Sequence, residues 1–149
     1  MMDIVFRTDD LPVTDRFDYV YELTKGPPIP VISQVDSTTG FHASWRRLDL
    51  DAVRVYAMTG STMRVTRSAQ LVRRIDPEYC SLYVFVCGEY RFAHDDQVTV
   101  LGPGDMVFAD SSRPFDGWMV EDQSTRAPWH HVHIQFPRAL LPRPALLVS

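Results

Sequence analysis

"YCSLYVFVCGEYRFAHDDQVTVLGPGDMVFA", Tyr79–Ala109, holds four short runs rich in valine and aromatic residues, broken by Gly88, Asp95-Asp96 and Gly102-Pro103-Gly104. Short β-branched and aromatic runs punctuated by turn formers read as consecutive strands. The pattern extends outward to "FHASWRRLDL", "AVRVYAMT" and "TMRVTRS" on one side and "FDGWMV" and "WHHVHIQF" on the other, nine runs between Phe41 and Phe136. Regular spacing leaves hardly any room for helices between them, which argues for an antiparallel sandwich or barrel rather than a parallel α/β sheet. The predicted fold is mainly β, a jelly-roll barrel over 41–136. In "LYVFV" both faces are apolar, Leu82, Val84 and Val86 on one and Tyr83 and Phe85 on the other. That strand is expected to be covered twice, the second cover being an N-terminal helix or another subunit.

Val13, Phe17, Val20 and Tyr21 recur at helical spacing before Gly26-Pro27-Pro28, so a helix is expected over 10–25. Beyond Pro137, Ala139-Leu140-Leu141 and then Pro142 and Pro144 read as one helical turn entering a linker over 137–149. The whole of 1–149 suits a single domain. An apolar "ALLVS" at the end implies a chain that continues past Ser149.

Net charge is −4, whereas a domain that grips phosphate backbones concentrates Lys and Arg on one face. Direct DNA binding by this segment is therefore not expected. The pairs Arg46-Arg47 and Arg73-Arg74 read as solvated strand edges, with anion or partner binding as the alternative. No stretch approaches the apolar length of a membrane helix, and the start lacks a basic segment followed by an apolar one, so a cytoplasmic protein is expected. Cys80 and Cys87 lie seven steps apart in one run, over about 20 Å along a strand, too far for a disulfide. They are read as free thiols.

Gly102-Pro103-Gly104-Asp105 must turn one strand sharply into the next. The setting resembles the strand-joining turn of cupins, small jelly-roll barrels that often hold a metal. That resemblance implies an earlier His-x-His on one strand and a later histidine on another. Met63–Cys87 contains no histidine, and Phe115 stands where the later one is expected. No metal at the usual cupin site and no cofactor are therefore predicted. His131 and His133 alternate on one strand and would share a face, so with Glu121 or Asp122 they compose a possible two-histidine, one-carboxylate set. Ordinary hydrogen-bonded or solvent-facing histidines are the competing reading. His42 and His94 are read as structural. Ser111-Ser112 lacks a nucleophile elbow, and the aspartate pairs sit in turn-like places, so no catalytic set is assigned.

Asp110-Ser111-Ser112-Arg113-Pro114-Phe115 follows Pro103-Gly104-Asp105 and precedes Gln135-Phe136-Pro137-Arg138-Ala139-Leu140-Leu141-Pro142. With Phe6-Arg7-Thr8-Asp9-Asp10-Leu11-Pro12 and Arg16-Phe17-Asp18, these blocks resemble the N-terminal domain of AraC-type transcription regulators, closest to the branch found in actinobacteria. The resemblance implies a cupin-like barrel that binds an effector or dimerises, linked to a C-terminal DNA-binding domain outside this chain. Such a domain would act by linkage, without catalysis. A free-standing small-molecule-binding cupin, and a metal-dependent cupin enzyme using His131 and His133, are the alternatives. Pocket candidates by chemistry are Trp45, Tyr56, Phe92, Phe108, Trp118, His131 and His133, each equally readable as core. Pro103, Gly104, Asp105, Asp110, Arg113 and Pro114 form a turn-bracing motif, with Arg113 expected to brace Asp110 or to meet a carboxylate effector. A homodimer is the expected assembly.

Overall fold

Strict alternation of inward and outward side chains is what lets these runs close around one core. The computed structural model describes residues 2–26 and 29–142. All nine runs read from the sequence are strands: β3 Ala43–Leu50, β4 Val53–Gly60, β5 Met63–Arg67, β6 Tyr79–Cys87, β7 Glu89–His94, β8 Gln97–Leu101, β9 Met106–Asp110, β10 Phe115–Val120 and β11 Trp129–Pro137. Two shorter strands precede them, β1 Asp3–Arg7 and β2 Ile32–Gln34. Helix α1 is Arg16–Lys25 and α2 is Ala69–Arg74. Two antiparallel sheets face each other, one ordered β1-β3-β4-β11-β6-β9 and the other β2-β5-β10-β7-β8. The jelly-roll expectation holds.

Helix α1 starts later than the expected residue 10 because Pro12 interrupts the segment, and two 3-10 turns, Thr8–Asp10 and Val13–Asp15, occupy it instead. It docks through Phe17 on Phe41, ring centroids 5.5 Å apart, and Tyr19 on Phe6 at 5.4 Å. Thr24 Oγ1 lies 2.7 Å from Ser33 Oγ of β2. This position leaves the outward face of β6 without the helical cover, and Val86 stays 48% exposed. After β11 a 3-10 turn, Arg138–Leu140, takes the place of the expected helical turn. The rest of the expected linker, 143–149, lies outside the described residues. Among the described residues no helix is long and apolar enough to cross a membrane.

The Pro103-Gly104-Asp105 turn is tied down on both sides. Asp105 Oδ2 accepts from the Gly102 amide at 2.8 Å, and the Gly104 amide, at φ +90°, donates to the Phe85 carbonyl at 2.9 Å. A second tie is Arg67, fully buried, whose guanidinium donates to the carbonyls of Ser111, Pro30 and Ile75. Three loops thereby share one side chain, and the charge is satisfied by carbonyl dipoles. Both cysteines are free, Cys80 buried and Cys87 half-buried.

A buried cavity between the sheets

Strand β11 runs through the middle of its sheet with Trp129, His131, His133 and Gln135 all facing inward and buried. Its register against its neighbours builds rows across the inner face. Trp45, Met58, His131 and Phe85 form one. Arg47, Tyr56, His133, Tyr83 and Val107 form the next, then Asp49, Arg54, Gln135, Ser81 and Ala109. Successive rows are two residues apart, or about 7 Å. From the first row to the third the wall changes from aromatic and thioether groups to polar ones.

The opposite sheet contributes Met63, Val65, Tyr90, Phe115 and Met119, and Leu23 and Thr24 of α1 close one side of a cavity of about 210 Å³. Trp45, Tyr56, Tyr83, Tyr90, Phe115 and Trp129 are among the residues that line it. The His131 ring stacks on Trp129 at 5.1 Å and meets Tyr83 edge-on at 5.3 Å. His133 lies 4.8 Å from the Tyr56 ring and 4.9 Å from that of Tyr83. The two imidazoles are 5.6 Å apart, centroid to centroid.

Burial disfavours charge on these rings. It pushes His133 down to about 3, and His131 well below the usual imidazole range, where the neighbouring His133 adds to the effect. Burial likewise pushes the Tyr83 phenol up to about 12. At neutral pH each imidazole therefore carries one donor and one acceptor nitrogen. Within the described residues none of the four ring nitrogens has a hydrogen-bond partner, and neither has Ser81 Oγ or Gln135 Oε1. Unpaired buried polar atoms are costly, about 1–3 kcal/mol each, and so concentrated a set marks a place that expects polar company.

Over residues 31–146 the sequence matches the AraC-binding-like domain. The chain belongs to that family. Among solved structures, the AraC-like transcriptional activator CuxR superposes with a TM-score of 0.76 at 23% identity over 94% of this chain, which spans 49% of that chain. KdgF from Halomonas sp. gives 0.48 at 11% identity, covering 71% of this chain and 86% of its own. A cupin domain of an XRE-family transcriptional regulator from Enterobacter cloacae gives 0.45 at 16%, covering 68% and 98%. Comparison with curated proteins finds no match.

In this AraC-binding-like domain, Trp45, Tyr56, His131 and His133 line the cavity together. Phe92, Phe108 and Trp118 do not. Strand parity turns Trp118 outward, where Arg64 lies 4.8 Å over its ring. Phe108 also points out, 46% exposed, beside Phe136. Phe92 faces inward but stacks on Phe115 at 5.6 Å, beyond the cavity wall. Phe115, at the place where cupins carry a histidine, is itself a lining residue.

The expected Arg113 brace is corrected too. Asp110 is held by Arg138, at 2.6 and 3.0 Å, and by the Ser112 amide. Arg113 is joined to Asp110 only by its backbone amide. Asp76 binds the Ser111 hydroxyl at 2.6 Å, with Arg138 3.5 Å away, and these contacts hold both carboxylates below their usual range against the opposing effect of burial. Among the described residues Ser111 thus hydrogen-bonds a carboxylate and no imidazole.

The two-histidine, one-carboxylate set is not assembled. Glu121 accepts from the Thr62 amide and Asp122 from Ser124 and Thr125 in an exposed turn. Among the described residues no three His, Cys, Asp or Glu side chains could share a metal ion.

Arg54, Ser81 and Gln135 line the cavity although nothing in the sequence singles them out, and Arg47 lines it with them. The pair Arg46-Arg47 reads from the sequence as a solvated edge, with anion or partner binding as the alternative, and only Arg46 faces outward. The parity of "WRRLD" after the inward Trp45 was the available signal. Arg73-Arg74 lies on α2, not on a strand edge, and is exposed.

Proposed function

We propose that this chain is the effector-sensing domain of an AraC-type regulator and that the cavity between the sheets is the sensing site. The observation that carries the reading is the set of neutral, unpartnered polar side chains, His131, His133 and Gln135 on β11 and Ser81 beside them on β6, facing a cavity rich in aromatic rings. A ligand that completes those hydrogen bonds stabilises the occupied barrel, and an attached DNA-binding domain responds in proportion to the difference in affinity between its two arrangements. No bond-making step is required. The domain works in the cytoplasm, and DNA is reached only through the attached domain.

Dimerisation is a second role, favoured by the outer face of the sheet containing β11. There Leu48, Val55, Ile134, Leu82 and Phe108 are aligned across five strands, and Ala57, Val132, Val84 and Met106 across four. A five-strand row spans about 19 Å at 4.7–4.9 Å per strand. Pairing two copies through it would give the isologous interface common in regulators.

The sensing role is tested by following the His131 and His133 ring C–H resonances by NMR while a metabolite library is added. Saturable shifts at both rings with one compound class support it. A library-wide absence of shifts at both rings, with compounds acting elsewhere on the barrel or nowhere, refutes it.

A further inference from the structure

Resting on that sensing role, we propose that Asp110, Asp76 and Arg138 form a latch between the cavity wall and the point where the chain leaves the barrel. Its opening and closing passes the state of the cavity to the residues beyond Arg138. Two blocks that stand out in the sequence, Asp110-Ser111 after β9 and Arg138 after β11, meet at one end of the barrel with the 76–78 loop before β6. Arg138 grips Asp110 as a fork, Nη2 to Oδ1 at 2.6 Å and Nε to Oδ2 at 3.0 Å. The same guanidinium comes within 3.5 Å of Asp76 and 3.6 Å of Glu78, and the Arg138 amide donates to the Glu78 carbonyl at 2.7 Å.

One end of the latch is cavity wall. Ala109, Asp110 and Ser111 line the cavity beside Ser81 and Gln135. The Ser111 hydroxyl donates to Asp76 Oδ1 at 2.6 Å and accepts from the Tyr79 amide at 3.0 Å, so a shift of that wall is carried to Asp76. The other end is the exit of the chain. Ala139, Leu140 and Pro142 are exposed, and the Leu141 amide bonds back to the Arg138 carbonyl. Among the described residues, the hydrogen bonds that tie 138–142 to the barrel are those of Arg138. Releasing that one residue therefore frees the exit while the strands stay paired.

Two features give the latch an open state. Glu78 holds a left-handed backbone, φ +60°, which is costly for a residue with a side chain. It is kept there by Asp76 Oδ1, which accepts its amide at 2.9 Å, and by the Arg138 amide on its carbonyl. Asp76 and Asp110 also repel each other, and Arg138 contacts both. Withdrawal of the guanidinium frees the Glu78 backbone and leaves the two carboxylates pushing their loops apart, whereas its return draws them together. Such an arrangement has two discrete states rather than a continuum. Cys80 reports which one is occupied. It stands opposite Asp110 and Phe136 in register, fully buried, with its sulfur 3.9 Å from Asp110 Oδ2 beside the ion pair. Burial pushes the thiol up to about 11, so it reacts slowly while the latch is closed.

The test follows alkylation of Cys80 by iodoacetamide in a Cys87→Ser background, where it is the single thiol, alongside hydrogen exchange of the β11 ladder amides. Alkylation reports the latch, and exchange reports opening of the barrel as a whole. Arg138→Gln, with Arg138→Met as a second variant should the first fail to fold, is expected to speed alkylation at least about tenfold while β11 exchange changes less than about twofold. Loss of the guanidinium by itself would make the thiolate harder to form, so faster alkylation reads exposure. Val65 lines the cavity from the opposite sheet. Val65→Phe adds a ring there and Val65→Leu a smaller group, and either should change the ratio of alkylation to β11 exchange at least about threefold. Alkylation that is unchanged in the Arg138 variants, or that rises in step with exchange, shows an ordinary ion pair and overturns the latch. A latch that opens in those variants but ignores both Val65 substitutions is cut off from the cavity, which overturns the relay. Neither result touches the sensing role, which the histidine resonances decide separately.

Discussion

Acidification should destabilise this barrel well before its carboxylates titrate, and the two cavity histidines set the size of the effect. In the unfolded chain an imidazole takes up a proton near pH 6.5. In the folded chain burial holds His133 down to about 3 and His131 well below its usual range. Between these limits the unfolded state binds more protons, so stability falls as pH falls, by about 1.4 kcal/mol per pH unit for each ring. From pH 7 to pH 5 the loss is about 2 kcal/mol per ring, roughly 4 for the pair, out of a typical 5–15 kcal/mol. Asp76 and Asp110, whose pKa values are also lowered, contribute stability that is lost only below about pH 4. The histidine window is therefore clear of them.

Urea titrations at pH 7.5, 6 and 5 measure the loss, with the double variant His131→Phe, His133→Phe as reference. Phenylalanine keeps the aromatic volume and removes four buried ring nitrogens that lack partners within the described residues. The variant should match or exceed the wild type at pH 7.5, and the difference in unfolding free energy should widen in its favour by about 4 kcal/mol at pH 5. Parallel loss of stability in the two proteins over that range would refute the claim that the rings are buried and neutral.

Three further outcomes are expected. Leu82→Glu and Ile134→Glu, each placing a charge in the apolar row on the outer face, should turn a dimer into a monomer in analytical ultracentrifugation without changing the far-ultraviolet circular dichroism; a wild-type monomer at high concentration would rule out that interface. Arg67→Met should destabilise the barrel by at least about 3 kcal/mol in chemical denaturation, because the carbonyls of Ser111, Pro30 and Ile75 lose their shared donor. Gly117→Ala would bring a methyl to 2.5 Å from the Tyr90 hydroxyl; the forced shift of a fully buried ring should lower stability by about 1–3 kcal/mol, measured by thermal unfolding.

Much of the architecture was legible because period-two alternation and turn residues are local properties, and the nine runs from Phe41 onward carried both. Strands β1 and β2 escaped detection. "DIVFR" and "ISQ" are too short to show a period, and they are strands only because β3 and β5 offer them an edge. Helix α1 was visible in its apolar spacing, but its start was set by Pro12 and the turns around it. Spacing also put His131 and His133 on one face. It did not place that face inside.

The chain sequence by itself determined a mainly β domain without a basic face, its turn chemistry, and a histidine pair able to act together, since each depends on residue type and near neighbours. Tertiary structure alone decided which faces look inward, because one register choice sends Trp118 and Phe108 out and brings Arg47 and Arg54 to the mouth of the cavity. It also decided that Asp110 answers to Arg138, 28 positions away, and that the histidine nitrogens lie in a cavity rich in aromatic rings with no described partner. Pairing across strands and exclusion of water are properties of the packed whole, and no stretch of sequence contains them.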